Sequence, residues 1–192
     1  MVSERDIDRQ LVERAQRGDK RAFELLVEKY QRKLARLLSR LIRDPGEVED
    51  VAQETFVKAY RALPSFRGDS AFYTWLYRIA VNTARNAIAS RQRRPLDYEA
   101  ELSEGEQHSV AARLKHNDTP EAAALSEEIR LTVNQAIEQL PEDLRTAIVL
   151  REIEGLSYEE IAATMDCPVG TVRSRIFRAR EAIDRALKPL LD

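Results

Sequence analysis

The sequence predicts an all-α protein of two small helical domains joined by a flexible acidic linker, with a helix-turn-helix in the second domain. Glycine and proline are scarce, at six and seven of 192 residues, so turns are few. Apolar residues recur at steps of three and four along most of the chain, as in helices that pack on one face. Residues 95–120 lack this period and are polar and acidic. We therefore expect domains at residues 1–94 and 121–192.

The first domain is predicted to contain four helices. Asp19 is placed to cap the second helix, and Asp44-Pro45-Gly46 separates it from the third. Pro64 ends the third helix. Asp69 or Ser70 is placed to cap the fourth. The second helix has the longest apolar stripe, and we expect the core of the domain to form around it: Phe23, Leu26, Tyr30, Leu34, Leu37, Leu38 and Leu41.

The formal net charge of -2 hides a strong division along the chain. Residues 1–94 contain 20 basic and 13 acidic side chains. The linker contains 2 basic and 6 acidic side chains, and residues 121–192 contain 9 basic and 14 acidic ones. A near-zero total would argue against nucleic acid as a partner, but a first domain of net +7 does not.

Aromatic residues are concentrated around the start of the fourth helix. Of the twelve in the chain, seven lie within residues 56–77. On a helical wheel one arc of this helix is apolar, and the adjacent arc is formed by Trp75, Arg78, Asn82, Arg85 and Asn86. Such a stripe suits single-stranded nucleic acid, because rings stack on bases, arginines bind phosphate and amides read base edges. An ordinary amphipathic helix with aromatic packing is the alternative.

The second domain has the pattern of a helix-turn-helix. Ser157 and Glu160 form a capping box before a short helix, and the turn Asp166-Cys167-Pro168 leads into a longer basic helix. Residues 171–188 have six basic and two acidic side chains, whereas residues 121–166 have three and eleven. The apolar arc of the last helix faces the core, and the opposite arc presents groups that can read a major groove: Arg173, Ser174, Phe177 and Arg178. A basic helix on an ordinary bundle is the alternative.

Several functional classes find no support in the sequence. The single cysteine excludes a disulfide within the chain, no apolar run is long enough to span a membrane, and no signal peptide is visible at the N-terminus. We expect a cytoplasmic protein. Motifs for a phosphate loop, a dinucleotide site, an activated serine or a zinc protease are missing, and the two histidines have no partner at ligand spacing. We therefore predict no catalytic residue, metal, cofactor or small-molecule substrate.

The segments DVAQETFVKAYRALPSFRGDSAFYTWLYRIAVNTARN and LPEDLRTAIVLREIEGLSYEEIAATMDCPVGTVRSRIFRAREAI closely resemble the two conserved blocks of the extracytoplasmic-function (ECF) sigma factors of bacterial RNA polymerase. The sigma-E/AlgU type is the most similar. The resemblance covers most of both domains and implies a transcription initiation factor for stress-type promoters. A stand-alone helix-turn-helix regulator and an enzyme are the other hypotheses; promoter-specific binding without polymerase would favour the regulator.

The resemblance also implies partners and site residues. Core RNA polymerase would be bound through its largest-subunit coiled coil and its flap, with Asp50, Gln53, Glu54 and Phe56 on the coiled-coil surface. The melted -10 element would be read by Phe66, Trp75, Tyr77, Arg78, Asn82 and Asn86. The duplex -35 element, similar to GGAAC, would be read by Thr171, Arg173, Ser174, Phe177 and Arg178. Related proteins are inhibited by an anti-sigma factor that is often membrane-anchored, which could hold this chain at the inner membrane.

Overall fold

The computed structural model describes residues 4–93 and 120–191, and these ranges contain α-helices and no strand. The first range contains α1 (Glu4–Gln16), α2 (Lys20–Leu41), α3 (Pro45–Ala62), a 3-10 turn (Leu63–Ser65) and α4 (Phe72–Arg93). The second contains α5 (Pro120–Gln139), α6 (Glu142–Ile148), a π-helical turn (Val149–Ile153), α7 (Tyr158–Met165) and α8 (Val169–Leu191). The all-α prediction is confirmed. Almost all of the predicted linker lies outside the described residues.

The helix caps of the first domain are largely those that the sequence predicts. The Asp19 carboxylate accepts the Ala22 N–H at the start of α2, and the hydrogen bond from Arg14 holds the pKa of Asp19 below its ordinary value. Asp44 caps α3, with Pro45 in the first turn. The start of α4 differs from the prediction. The helix begins at Phe72, and the Ala71 carbonyl accepts the Trp75 N–H, so Ala71 occupies the cap position that was expected for Asp69 or Ser70.

The core of the first domain lies around α2. All seven residues of its predicted apolar stripe are buried, and four leucines, including Leu26 and Leu34, have no exposed surface. The helix packs against α1, α3 and α4. Because α4 packs against both α2 and α3, the domain holds α4 in a fixed orientation, with one side on this core.

The helix-turn-helix of the second domain is formed by α7 and α8. The capping box is present: the Ser157 hydroxyl accepts the Glu160 N–H at 3.1 Å, and the Glu160 carboxylate accepts the Ser157 N–H at 2.9 Å. Asp166 ends α7 in the left-handed conformation at φ 51°. Val172, Ile176 and Ala179 are buried against the rest of the domain, so the opposite side of α8 faces solvent.

The two domains pack directly against each other through α4 and α7, and the buried apolar residues form one continuous core. Smaller contacts join α2 to α6. The Arg43 guanidinium, just after α2, also donates to the Glu138 carbonyl of α5 at 3.3 Å. Within the described ranges, no helix combines the length and the apolar character that crossing a membrane requires.

Candidate nucleic-acid and polymerase interfaces

Two of the aromatic residues expected to read the -10 element lie together at the start of α4. The ring centroids of Phe66 and Trp75 are 4.8 Å apart, and the Phe72 ring is 6.1 Å and 5.7 Å from them. Phe72 is buried and anchors the cluster in the core, whereas Phe66 and Trp75 are only partly covered. The pair therefore presents aromatic surface beside the loop at residues 66–71, where an unstacked base can be received.

The polar stripe of α4 continues from this pair along one side of the helix. Arg78, Asn82 and Asn86 are exposed, and they follow Trp75 at steps of three and four. A guanidinium and two amides in a row offer donors to phosphate and to base edges. The stripe remains uncovered although the second domain is packed on the same helix.

Tyr77, also expected to read the -10 element, is in a different environment. It is 2% exposed and faces Glu154 of the second domain. Burial, together with the charge of Glu154, raises the pKa of Tyr77 above its ordinary value. In this arrangement Tyr77 belongs to the contact between the domains, so it could touch DNA only after that contact separates.

The contact between the domains has a polar component that the sequence did not indicate. The Thr74 hydroxyl donates to the Glu160 carboxylate at 3.2 Å. The Arg85 guanidinium donates to the Met165 carbonyl at 3.4 Å and to the Asp143 carboxylate at 3.5 Å, and Glu142 lies 3.8 Å away. The helical wheel predicts Arg85 in the polar stripe, but in the structure Arg85 lies at the border between that stripe and the contact. Thr74, Tyr77 and Arg85 follow one another at helical spacing and define this contact face of α4.

The residues expected to read the -35 element share the exposed side of α8. Arg173, Ser174, Phe177 and Arg178 are exposed, and Phe177 retains 65% of its surface although it is aromatic. Thr171 is half-buried at the start of the helix. The Ser174 hydroxyl donates within its own helix, to the carbonyls of Gly170 and Thr171. Basic and apolar groups therefore point outward where a recognition helix needs them.

Sequence reasoning missed a ring that supports this side of α8. The Arg173 guanidinium lies 5.7 Å from the centroid of the Tyr158 ring, and the Arg151 guanidinium lies 4.8 Å from it. Arg151 also donates to the Leu156 carbonyl at 2.8 Å. Cation–π contacts with a shared ring limit the freedom of both guanidiniums.

The residues expected to bind the polymerase coiled coil are on α3. Asp50, Gln53 and Glu54 are exposed on one side, whereas Phe56 is half-buried. The same side also exposes Val57, which retains 48% of its surface, and sequence reasoning missed it. The helical spacing was the available signal, since Val57 follows Gln53 and Glu54 at steps of four and three, away from the apolar stripe.

Comparison with known proteins gives matches to both domains. Residues 26–94 match the family model for Sigma-70 region 2, and residues 130–183 match that for Sigma-70 region 4. The RNA polymerase sigma-H factor of Pseudomonas aeruginosa is 64% identical over 184 residues, which cover 96% of this chain and 95% of the relative. The ECF RNA polymerase sigma-E factor of Escherichia coli is 60% identical over 190 residues, 99% of each chain. The solved structure of CnrH in complex with the cytosolic domain of CnrY has a TM-score of 0.66, at 32% identity over 96% of this chain and 99% of CnrH.

Proposed function

Because this chain belongs to the sigma-70 family of RNA polymerase sigma factors, in its ECF group, we propose that its two domains divide the reading of a promoter between them. Like other sigma factors, the protein is a transcription initiation factor and not an enzyme. Residues 1–94 would bind core polymerase and open the -10 element, residues 95–120 would connect the domains, and residues 121–192 would read the -35 element.

Reading of the -35 element is assigned to the outward side of α8. Arg173 and Arg178 offer the bidentate donors that pair with guanine, and Phe177 offers an apolar surface for a thymine methyl group. Thr171 and Ser174 complete the set. The basic helix belongs to an otherwise acidic domain, so the positive charge is concentrated where the groove would lie.

Reading of the -10 element is assigned to Phe66 and Trp75, and to Arg78, Asn82 and Asn86 that follow them on α4. Extrusion of a base from a duplex costs a few kcal/mol, which stacking on an aromatic pair can offset. Tyr77 would join this set only once the second domain has moved away from α4.

Binding of polymerase is assigned to the exposed side of α3, with Asp50, Gln53 and Glu54, and with Phe56 at its edge. The flap of the polymerase would bind the second domain. Regulation is assigned to an anti-sigma factor that binds the free protein, by analogy with CnrH, which is solved with the cytosolic domain of CnrY. We place the protein in the cytoplasm, with its inhibited form at the inner membrane through an anchored anti-sigma factor.

One observation carries the proposal: the chain presents two separate exposed surfaces suited to DNA, an aromatic and polar one on α4 and a basic one on α8. The test is run-off transcription with purified core polymerase from Escherichia coli and a promoter with a GGAAC-like -35 element. We expect a specific transcript that core polymerase alone does not make. No transcript above that background would contradict the proposal.

A further inference from the structure

The segment between α3 and α4 determines where Phe66 and the following loop are presented. It begins with the 3-10 turn Leu63–Ser65, continues through a glycine at φ +78° (Gly68) and ends at Phe72. Residues 67–70 are exposed, so apolar packing cannot fix them. Whatever orders the start of this segment therefore controls the shape of the site beside Trp75.

The side chain of Gln16, the last residue of α1, binds the start of this segment twice. Its Nε2 donates to the Leu63 carbonyl at 2.9 Å and to the Phe66 carbonyl at 2.8 Å. Both partners are acceptors, so the two N–H groups of the amide must face them. Leu63 also accepts the Phe66 N–H at 3.0 Å. The two carbonyls, three residues apart, are thus joined by one side chain nearly fifty residues away in the sequence.

Beside these hydrogen bonds lies an open cleft of about 600 Å³, which is lined by α1, by the segment and, on the side of the second domain, by Glu160. Arg5, Arg9 and Glu13 line it from α1, and the segment lines it from Phe66 to Phe72. Sites for small ligands occupy roughly 300–1,000 Å³, so the cleft has room for a single base. Gln16 lies at one end of this cleft, where it connects the two walls.

We propose that Gln16 is a positioning residue for the -10 element, holding the Leu63 and Phe66 carbonyls so that the cleft between α1 and the segment can receive an unstacked base. This inference rests on the proposed function. It extends the reading site to α1, which precedes the residues that match Sigma-70 region 2. Gln16 would act through the backbone of the segment and not by reading the base itself.

A purely structural role for Gln16 predicts a different outcome. Gln16 is exposed, so water can replace its hydrogen bonds, and their loss should change the melting temperature little. A positioning role instead predicts a loss of affinity limited to DNA in which the captured base is present.

The experiment uses holoenzyme assembled with Escherichia coli core polymerase. The probe is a single-stranded -10 oligonucleotide that wild-type holoenzyme selects from a randomised pool, together with versions containing one abasic site at each position. Gln16→Leu removes the donors at similar size, Gln16→Lys keeps a donor, and Gln10→Leu is a matched change at an exposed glutamine of α1.

We expect Gln16→Leu to weaken binding of the intact oligonucleotide by about 10-fold, because a segment that Gln16 no longer holds must be ordered when the base binds. Gln16→Lys should recover much of this loss, and Gln10→Leu should behave as wild type. On the oligonucleotide that lacks the captured base, Gln16→Leu and wild type should bind equally.

An undiminished affinity of Gln16→Leu for the intact probe, or an equal loss on every abasic probe, would overturn the role of Gln16. A wild-type holoenzyme that is indifferent to every abasic site would overturn the proposed reading of the -10 strand itself, and this inference with it.

Discussion

The Thr74 hydroxyl donates to the same Glu160 carboxylate that caps α7, so one side chain both starts a helix of the second domain and binds the first domain. The two residues are 86 positions apart. Because the capping box fixes the Glu160 rotamer, the hydrogen bond from Thr74 requires little further ordering. The contact between the domains therefore uses a group that the helix-turn-helix already holds in place.

Reversal of the charge of Arg85 should separate the two domains in the free protein. Arg85→Glu would place a carboxylate beside Asp143 and Glu142, replacing attraction by repulsion. We expect a larger radius of gyration by small-angle X-ray scattering. Arg61→Glu, an equal change at an exposed position of α3, should leave the radius unchanged. An unaltered radius for Arg85→Glu would show that the remaining contacts, which include the Thr74–Glu160 hydrogen bond, hold the domains together without Arg85.

The titration of Tyr77 should report the same separation. Burial and Glu154 raise the pKa of Tyr77 when the domains are packed, so the packed state is favoured below the ordinary tyrosine pKa of about 10 and loses this contribution as the pH rises further. Ultraviolet absorbance during an alkaline titration sums all six tyrosines, so the difference between each protein and its Tyr77→Phe variant isolates the Tyr77 transition. In Arg85→Glu the pKa of Tyr77 should fall toward its ordinary value. The pKa of Tyr30, which burial and Asp8 within the first domain also raise, should stay high and serves as the internal control. An unchanged pKa of Tyr77 in Arg85→Glu would contradict the assignment of Tyr77 to a contact between the domains that Arg85 helps to hold.

Removal of a proposed -35 reader should change selectivity more than affinity. We expect Arg178→Ala to reduce the discrimination of holoenzyme between an intact and a mutated -35 element by about 1–3 kcal/mol. Arg180→Ala is the matched control, since Arg180 is on the same helix but is paired with Glu152. Equilibrium binding to both promoters at a fixed salt concentration measures the effect. Equal discrimination by Arg178→Ala and wild type would count against the assignment.

Substitutions on α4 and α3 should separate promoter opening from polymerase binding. Asn82→Ala removes an exposed amide of the polar stripe and should lower transcription from a -10-dependent promoter without weakening the binding of core polymerase. Asp50→Arg reverses a charge on the exposed side of α3 and should weaken the binding of core polymerase. A core-binding titration and run-off transcription, applied to both variants, give the comparison. If both variants lose polymerase affinity equally, the two surfaces are not functionally separate.

The sequence was informative wherever one helix face faces one core. The seven apolar positions of α2 are all buried, and the caps Asp19 and Ser157 are both present, because helical period and capping are local properties. The exposed side of α8 was equally predictable, since Val172, Ile176 and Ala179 leave only one orientation for Arg173 and its neighbours.

The sequence was less informative where distant segments meet. A helical wheel gives α4 a core side and a polar side but no partner for Thr74 and Tyr77, because Glu160 and Glu154 lie beyond the linker. The two hydrogen bonds of Gln16 were unpredictable for the same reason: their acceptors are backbone carbonyls, which leave no mark in a sequence. The π-helical turn at Val149–Ile153 likewise interrupts a stretch whose sequence reads as one continuous helix.

α4 has three distinct sides: one packs in the core, one contacts the second domain, and one carries the exposed polar stripe. A helix of this kind has few positions at which a substitution is without effect. In a library of all single substitutions, scored by growth that depends on this protein, α4 should therefore show depletion at nearly every position from Phe72 to Asn86. On α2 the depletion should instead follow the 3.6-residue period of its buried stripe. The pattern of tolerated substitutions along a helix would then show how many of its sides are required.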